Sequence, residues 1–494
     1  MQNDLNQKIG RATKWSSLTE ILAKLISPIV NMVLARVLAP EAFGVVATIT
    51  MVISFAELFT DAGFQKYLIQ HEFESDEELD RSTNVAFWTN LVFSILICGV
   101  IFFFRDQIAE LVGSPGLGNS ISIASVLIIL VAFSSIQAAR YKRSFDFKTL
   151  FYARIITSLI PLVVTVPLAF WLRNYWALLI GNITVQLLTA VILTVKSKWK
   201  PSFEYSFAVL KEMFSFSAWT LLESISIWLT SNLGIFIVGN KLNDYYLGLY
   251  KTSMSTVGAY MAIITAALTP VLFSALSRYQ NDDVEFRKTY YSFQRMAAVL
   301  ILPMGIGIFL YSDLVTFILL GSEWMEASGF VGLWGMMSAF TIVFSHFSSE
   351  VYRSKGNPKI SLGVQIFHLI VILPTLLISV NFSFPVLYTA RSLVRIHLIL
   401  TALVIMQFMY KFRIVDVIKN VFPMIVSTLV MGAAGYGLQK LSDNMIWQIV
   451  SVIICMIIYF AVLFTCFPKL RREILSIPAV AKALERVKGK IKKQ

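Results

Sequence analysis

Arg391 and Arg395 stand one helical turn apart in a largely apolar run from Val386 to Leu400. Two guanidiniums inside a membrane segment need anionic partners or a wet cavity, and their planar donor fork suits phosphate. The pair is therefore the sharpest candidate for contact with a pyrophosphate or an acidic sugar. Snorkelling, or pairing with a carboxylate such as Glu223, is the structural alternative. A second set of polar residues falls at helical spacing. At about 100° per residue, Glu20, Lys24, Ser27 and Asn31 share one stripe of the first apolar segment. Thr50, Ser54, Glu57 and Asp61 repeat that spacing on the second. Lys24 and Asn31 are candidates for substrate contact, and Glu20, Glu57, Asp61 and Glu223 for carrying a coupling ion. Glu20 and Lys24 at i,i+4, or Lys24 with Glu57, would equally form ion pairs that only hold helices together. The hydroxyls of Thr220, Ser224 and Ser231 read as helix packing. His346, His368 and His397, and Cys98, Cys455 and Cys466, lack metal-type spacing, so no metal and no cofactor is expected. No phosphate-cradling nucleotide loop is present either.

Apolar segments long enough to cross a bilayer carry these residues. About fourteen can be read, near 15–38, 42–61, 84–104, 118–138, 151–172, 176–195, 214–239, 246–275, 293–320, 328–349, 361–380, 385–409, 420–438 and 446–467. Each approaches the roughly 20 residues that span a hydrocarbon core. The loops between them alternate in charge. One side holds clusters such as Arg140, Lys142, Arg143 and Lys148, or Lys196, Lys198 and Lys200, whereas the other has only Arg36, Arg105, Arg173, Lys241, Lys251 and Lys440 near helix ends. By the positive-inside rule the N-terminus, the even-numbered connections and the C-terminus are cytoplasmic. That asymmetry accounts for the formal charge of +13 without nucleic acid. With 57% hydrophobic and 14% charged residues, a soluble enzyme is excluded. The first segment lacks a small-residue cleavage site and is expected to stay as a span.

An internal repeat organises the spans. Trp15 placed on Trp219, a shift of 204, pairs thirty positions without a gap, matching Leu18 with Leu222, Ile21 with Ile225, Ser27 with Ser231 and Gly44 with Gly248. The expected fold is an all-α integral membrane protein of two parallel six-helix repeats plus two extra C-terminal helices. Its parts are an N-lobe 1–205, a C-lobe 206–412, extra helices 413–467 and a basic amphipathic tail 468–494 that lies on the membrane surface. Parallel repeats suggest lobes that rock about a central cavity. Short outer connections such as Val380 to Phe384 leave no room for an external catalytic domain. This argues against a membrane glycosyltransferase or polymerase.

The segments Gly10-Arg-Ala-Thr-Lys-Trp15, Val33-Leu-Ala-Arg36, Phe43-Gly44, Asp61-Ala-Gly63 and Gly321-Ser-Glu-Trp324 resemble, in order and spacing, the bacterial polysaccharide and O-antigen type flippases. The nearest likeness is to exporters of the colanic acid and teichuronic acid type, in the multidrug, oligosaccharidyl-lipid and polysaccharide exporter superfamily. The resemblance implies a transporter, not an enzyme, in the bacterial cytoplasmic membrane. It implies movement of an undecaprenyl-diphosphate-linked oligosaccharide to the outer leaflet, with a polysaccharide polymerase or glycosyltransferase as candidate partner. It further implies a cationic cavity that binds the substrate, for which Arg36, Lys24, Arg391 and Arg395 would be the corresponding positions, although Glu20 and Lys24 depart from the family's pattern. A multidrug exporter of the same architecture is the alternative, and it would want acidic and aromatic walls instead of arginines.

Overall fold

The backbone in a bilayer must satisfy its hydrogen bonds internally, and the chain does so with helices throughout. The computed structural model describes residues 2–61 and 64–475. It includes their side chains except at 2–14, 16–18, 20–21, 61, 215–220, 222–223, 358, 469 and 473–475. Each of the fourteen apolar segments falls on helix. In chain order they are α1 (Gln2–Val37), α2 (Pro40–Asp61), α3 (Asp76–Phe103), α4 (Gly118–Arg143), α5 (Phe147–Leu172), α6 (Trp176–Lys196) and α7 (Phe207–Lys241). There follow α8 (Asp244–Arg278), α9 (Asp283–Leu310), α10 (Ser322–Ser354), α11 (Pro358–Ser379), α12 (Phe384–Tyr410), α13 (Ile414–Gln439) and α14 (Met445–Cys466). Among the described residues, 12 of these meet the length and apolarity of a membrane span, α1 and α7 being the two outside that count, and no strand occurs. The protein is a multi-pass membrane protein. Of the basic tail, the helix Pro468–Leu475 is described, and 476–494 lies outside the described residues.

Local chemistry marks the helix starts. Ser75, Asp146, Asp282 and Asn444 each accept a hydrogen bond from a backbone N–H in the first turn of α3, α5, α9 and α14. Asp76, Glu77 and Glu78 add negative charge where the α3 dipole is positive. Pro161 frees a backbone carbonyl, and α5 widens there into a π turn over Pro161–Thr165.

By contacts the chain forms two compact units, one of residues 1–266, 319–327 and 362–391, the other of 267–318, 328–361 and 392–494. In the first, α3, α4 and the short helix Phe64–Gln70 enclose an aromatic core of Phe64, Phe87 and Trp199, near the basic loops. The basic residues there are also structural. Arg143 donates to the carbonyls of Leu68 and His71 at 3.0 and 2.7 Å, and Arg140 pairs with Asp80. Tyr67 donates to Glu212 at 2.9 Å, and burial together with that bond pushes its phenol up, so it stays a donor.

At the opposite end of the same unit, α2 and α8 touch backbone to backbone. A Cβ on Gly44 would lie 1.9 Å from the Asp244 carbonyl oxygen, and one on Gly248 would lie 1.9 Å from the Pro40 carbonyl oxygen. Pro40 and Asp244 differ by the same 204 residues as Gly44 and Gly248. The contact is thus reciprocal, as a two-fold relation between the paired segments requires. Trp324, wholly buried, closes over it, donating to the Ala35 carbonyl at 2.7 Å and meeting the Phe43 ring edge-on at 5.1 Å.

In the second unit α9 is the hub, with α10, α13 and α14 packed on it. Gly305 on α9 takes Ala339 of α10, whose methyl would lie 2.3 Å from an added Cβ. Gln294 donates to the Val343 carbonyl at 3.2 Å and accepts from Asn420 at 2.9 Å, tying α9 to α10 and α13. Tyr459 of α14 donates to the Val299 carbonyl at 2.8 Å. Both α13 and α14 are therefore anchored by polar contacts as well as by apolar packing.

The glycine contact sets a test of the fold. Gly44→Val should lower stability by about 1–3 kcal/mol or more. Gly437→Ala, where an added Cβ meets nothing within 4 Å, should stay within about 0.5 kcal/mol of wild type. Thermal unfolding in detergent checks both.

Candidate functional site

Below the glycine contact the faces of α1, α2, α7 and α8 leave a pocket of about 200 Å³. Asn31 of α1, Thr50 of α2, Asn232 of α7 and Lys251, Thr252, Ser255 and Thr256 of α8 supply its polar lining. Phe43, Val46, Ala47, Met51 and Ile235 supply the rest. The polar residues of α8 follow Gly248 at helical spacing, so the stripe that permits close approach at the end of the helix becomes the stripe that lines the pocket. A smaller recess continues from Asn31 and Thr256 toward Pro28, Tyr260 and Leu320.

The chemistry of this lining is one-sided. It holds an ammonium, two amides and four hydroxyls and, among the described residues, no carboxylate. Lys251 is half-buried, and among the described residues no hydrogen bond or ion pair engages its ammonium. A cation placed in a low-dielectric, polar-lined recess attracts an anion, and lysine binds phosphate as a point charge. Amides and hydroxyls around it can serve as donors and acceptors for sugar hydroxyls.

Of the residues singled out in the sequence, Asn31 lines the pocket. Lys24 lies seven positions earlier on α1 and is half-buried, and Arg36 is exposed near the end of α1, its side chain beside Gly321. Neither is among the lining residues. Thr50 lines the pocket, but Ser54, one turn on, accepts from the Trp228 indole at 2.9 Å and so joins α2 to α7. Glu57 is half-buried on α2, away from the pocket lining. The side chains of Glu20, Asp61 and Glu223 lie outside the described residues. Ser231 bonds its own helix at the Ile227 carbonyl.

Arg391 and Arg395 fall in different units, and α12 has a turn at Val394 and Arg395. Arg391 is 7% exposed and its Nε donates to the Tyr250 hydroxyl at 3.0 Å. Gly234 of α7 makes this possible, since a Cβ there would sit 2.4 Å from that hydroxyl. Arg391 thus reaches the residue next to Lys251, on another face of α8. Arg395 donates to the Ser338 hydroxyl at 2.7 Å and lies 4.2 Å from the Trp334 ring centroid.

The residue that sequence reasoning passed over is Lys251. It counts as one of the few charges on the sparsely charged side, near a helix end. The signal that could have found it is its depth: it stands seven residues inside α8 and is followed by Thr252, Ser255 and Thr256 on one face.

The pattern that defines a family described as polysaccharide biosynthesis protein matches residues 33–329. The lipopolysaccharide biosynthesis protein WzxC of Escherichia coli K12 is 21% identical over 381 residues, 76% of each chain. The succinoglycan biosynthesis transport protein ExoT of Rhizobium meliloti 1021 is 23% identical over 325 residues, 66% of this chain and 65% of ExoT. In fold the chain is similar to the lipid II flippase MurJ in its inward-closed conformation, with a TM-score of 0.75 at 14% identity, over 92% of this chain and 99% of that one.

The Arg391 contact can be tested directly. Tyr250→Phe removes a hydrogen bond to a buried charged group and should cost roughly 1–3 kcal/mol of stability. Gly234→Leu, which drives a side chain into the Tyr250 hydroxyl, should cost at least as much, both read by thermal unfolding.

Proposed function

The chain belongs to the polysaccharide biosynthesis protein family, and on that footing we propose that it is a flippase. Its cargo is an undecaprenyl-diphosphate-linked oligosaccharide repeat unit, carried from the cytoplasmic to the outer leaflet of the bacterial inner membrane for cell-surface polysaccharide assembly. The observation that carries the reading is the pocket in which, among the described residues, Lys251 is set with amides and hydroxyls and no carboxylate. No covalent bond is made or broken; the work is binding and release.

In this account Lys251 takes a phosphate of the diphosphate, and Asn31, Asn232 and the α8 hydroxyls take the adjoining sugar. A volume of about 200 Å³ is below the ~300–1,000 Å³ typical of small-molecule sites. The pocket therefore holds the charged end of the headgroup, not a whole repeat unit. The basic loops lie in the cytoplasm, with both termini. The lobes 1–205 and 206–412 rock about the bound headgroup, with helices 413–467 appended to the second. Glu57 on α2 is the described carboxylate placed to couple an ion to that motion. A glycosyltransferase that builds the lipid-linked unit and a polymerase that consumes it are the partners this reading implies. A drug exporter selecting cations would want carboxylates in its wall, and none lines this pocket among the described residues.

Reconstituted in liposomes, the wild-type protein should move a fluorescent undecaprenyl-diphosphate oligosaccharide between leaflets. Lys251→Gln should slow that movement about tenfold, the equivalent of ~1.4 kcal/mol, and Lys251→Arg should restore part of it. A wild type that expelled organic cations and moved no lipid-linked sugar would replace this reading with the drug-exporter one.

A further inference from the structure

A headgroup carrier must also deal with the chain attached to the headgroup, and the first unit holds a second cavity suited to it. On the other side of the α2–α7 crossing lies a groove of about 780 Å³. Val52, Phe55 and Phe59 of α2, Ile101 of α3 and Leu233 of α7 are among its walls. Every residue that lines it is apolar but Trp228, and the Trp228 indole N–H is already bonded to Ser54 within the crossing. The groove thus offers no polar group to a ligand. Its α2 wall, from Met51 to Phe59, runs for about 12 Å at 1.5 Å per residue.

Met51, 3% exposed, lines both cavities, so the two adjoin at that residue. A thioether on an unbranched stem is the side chain best able to yield at such a junction. The ammonium and amides therefore lie on one side of Met51, and an uninterrupted apolar slot on the other. That division matches an amphiphile whose anionic head and long hydrocarbon chain part company at the diphosphate. Resting on the flippase reading above, we propose that this groove seats the polyisoprenyl chain of the lipid-linked substrate while its headgroup occupies the Lys251 pocket. Burial of apolar chain in the slot positions the head at Met51. Ile97, Val100 and the short helix Arg105–Leu111 bound the groove toward the sparsely charged side of the membrane, and its α2 wall runs from Met51 toward the basic-loop end of that helix.

Photocrosslinking in the full-length protein tests this. A benzophenone amino acid replaces Phe59 in the groove or, as control, Trp171, which is 80% exposed on α5. Each protein is placed in phosphatidylethanolamine and phosphatidylglycerol vesicles containing undecaprenyl diphosphate, irradiated, and its adducts weighed. The groove position should capture the isoprenoid over phospholipid several-fold more selectively than the control. Val52→Trp, which fills the slot, should abolish that selectivity and slow leaflet crossing of the lipid-linked oligosaccharide. Equal isoprenoid-to-phospholipid ratios at the two positions would overturn the proposal, as would adducts to a second copy of the chain or normal crossing by Val52→Trp. A wild type that moves no lipid-linked sugar yet captures isoprenoid selectively at position 59 would sink the flippase reading and leave the groove standing.

Discussion

The close approach of α2 and α8 at Gly44 and Gly248 is the constraint on which the site in the first unit depends. Without a hydrophobic driving force between helices in lipid, association relies on van der Waals contact and hydrogen bonding, and small residues let backbones meet. Here each glycine lies under the carbonyl of the residue four positions before the other. Closing the two helices at one end obliges their bulkier, more polar faces to part further along, and the Lys251 pocket occupies the space so made. Trp324 and Phe43 seal the closed end with apolar contact.

Intramembrane charge in this chain is used in two ways, distinguished by what surrounds it. Arg391 is buried against Tyr250 in a niche that Gly234 leaves open, which makes it part of the scaffold that fixes α8 beside α12. Arg140 and Arg143, on the basic-loop side, likewise spend their donors on Asp80 and on backbone carbonyls. Lys251 stands among groups that neither neutralise it nor compete for an anion. An uncompensated cation in low dielectric is costly, and among the described residues no carboxylate lines the pocket beside Lys251, so on the proposed reading the anionic head of the substrate balances it.

Much of the architecture was legible in the sequence because lipid leaves the backbone few choices. Fourteen apolar stretches became helices since no other open structure can satisfy N–H and C=O groups in hydrocarbon. Gly44 and Gly248 were legible as a matched pair 204 residues apart, although nothing in one dimension said that the matched glycines touch. The site was less legible. Spacing placed Arg391 and Arg395 together as one feature, yet their partners, Tyr250 and Ser338 with Trp334, come from distant segments that spacing does not reveal. Conversely Lys251 resembled a helix-end charge, and only the convergence of α1, α2, α7 and α8 shows Asn31 and Asn232 around it. The apolar groove leaves no mark in the sequence at all, since lipid-facing and slot-facing apolar residues have the same composition.

The central claim is that the α8 face beside Lys251 binds the anionic head of a polyprenyl diphosphate lipid. Its most direct test is protection. With Cys98, Cys455 and Cys466 replaced by serine, Ser255→Cys would place a single thiol in the pocket wall, where a small water-soluble thiol reagent can report on it. Undecaprenyl diphosphate should slow the labelling of that thiol in proteoliposomes, and Lys251→Gln should remove the protection. Labelling that proceeds at one rate with and without the lipid, in the presence of intact Lys251, would contradict the claim.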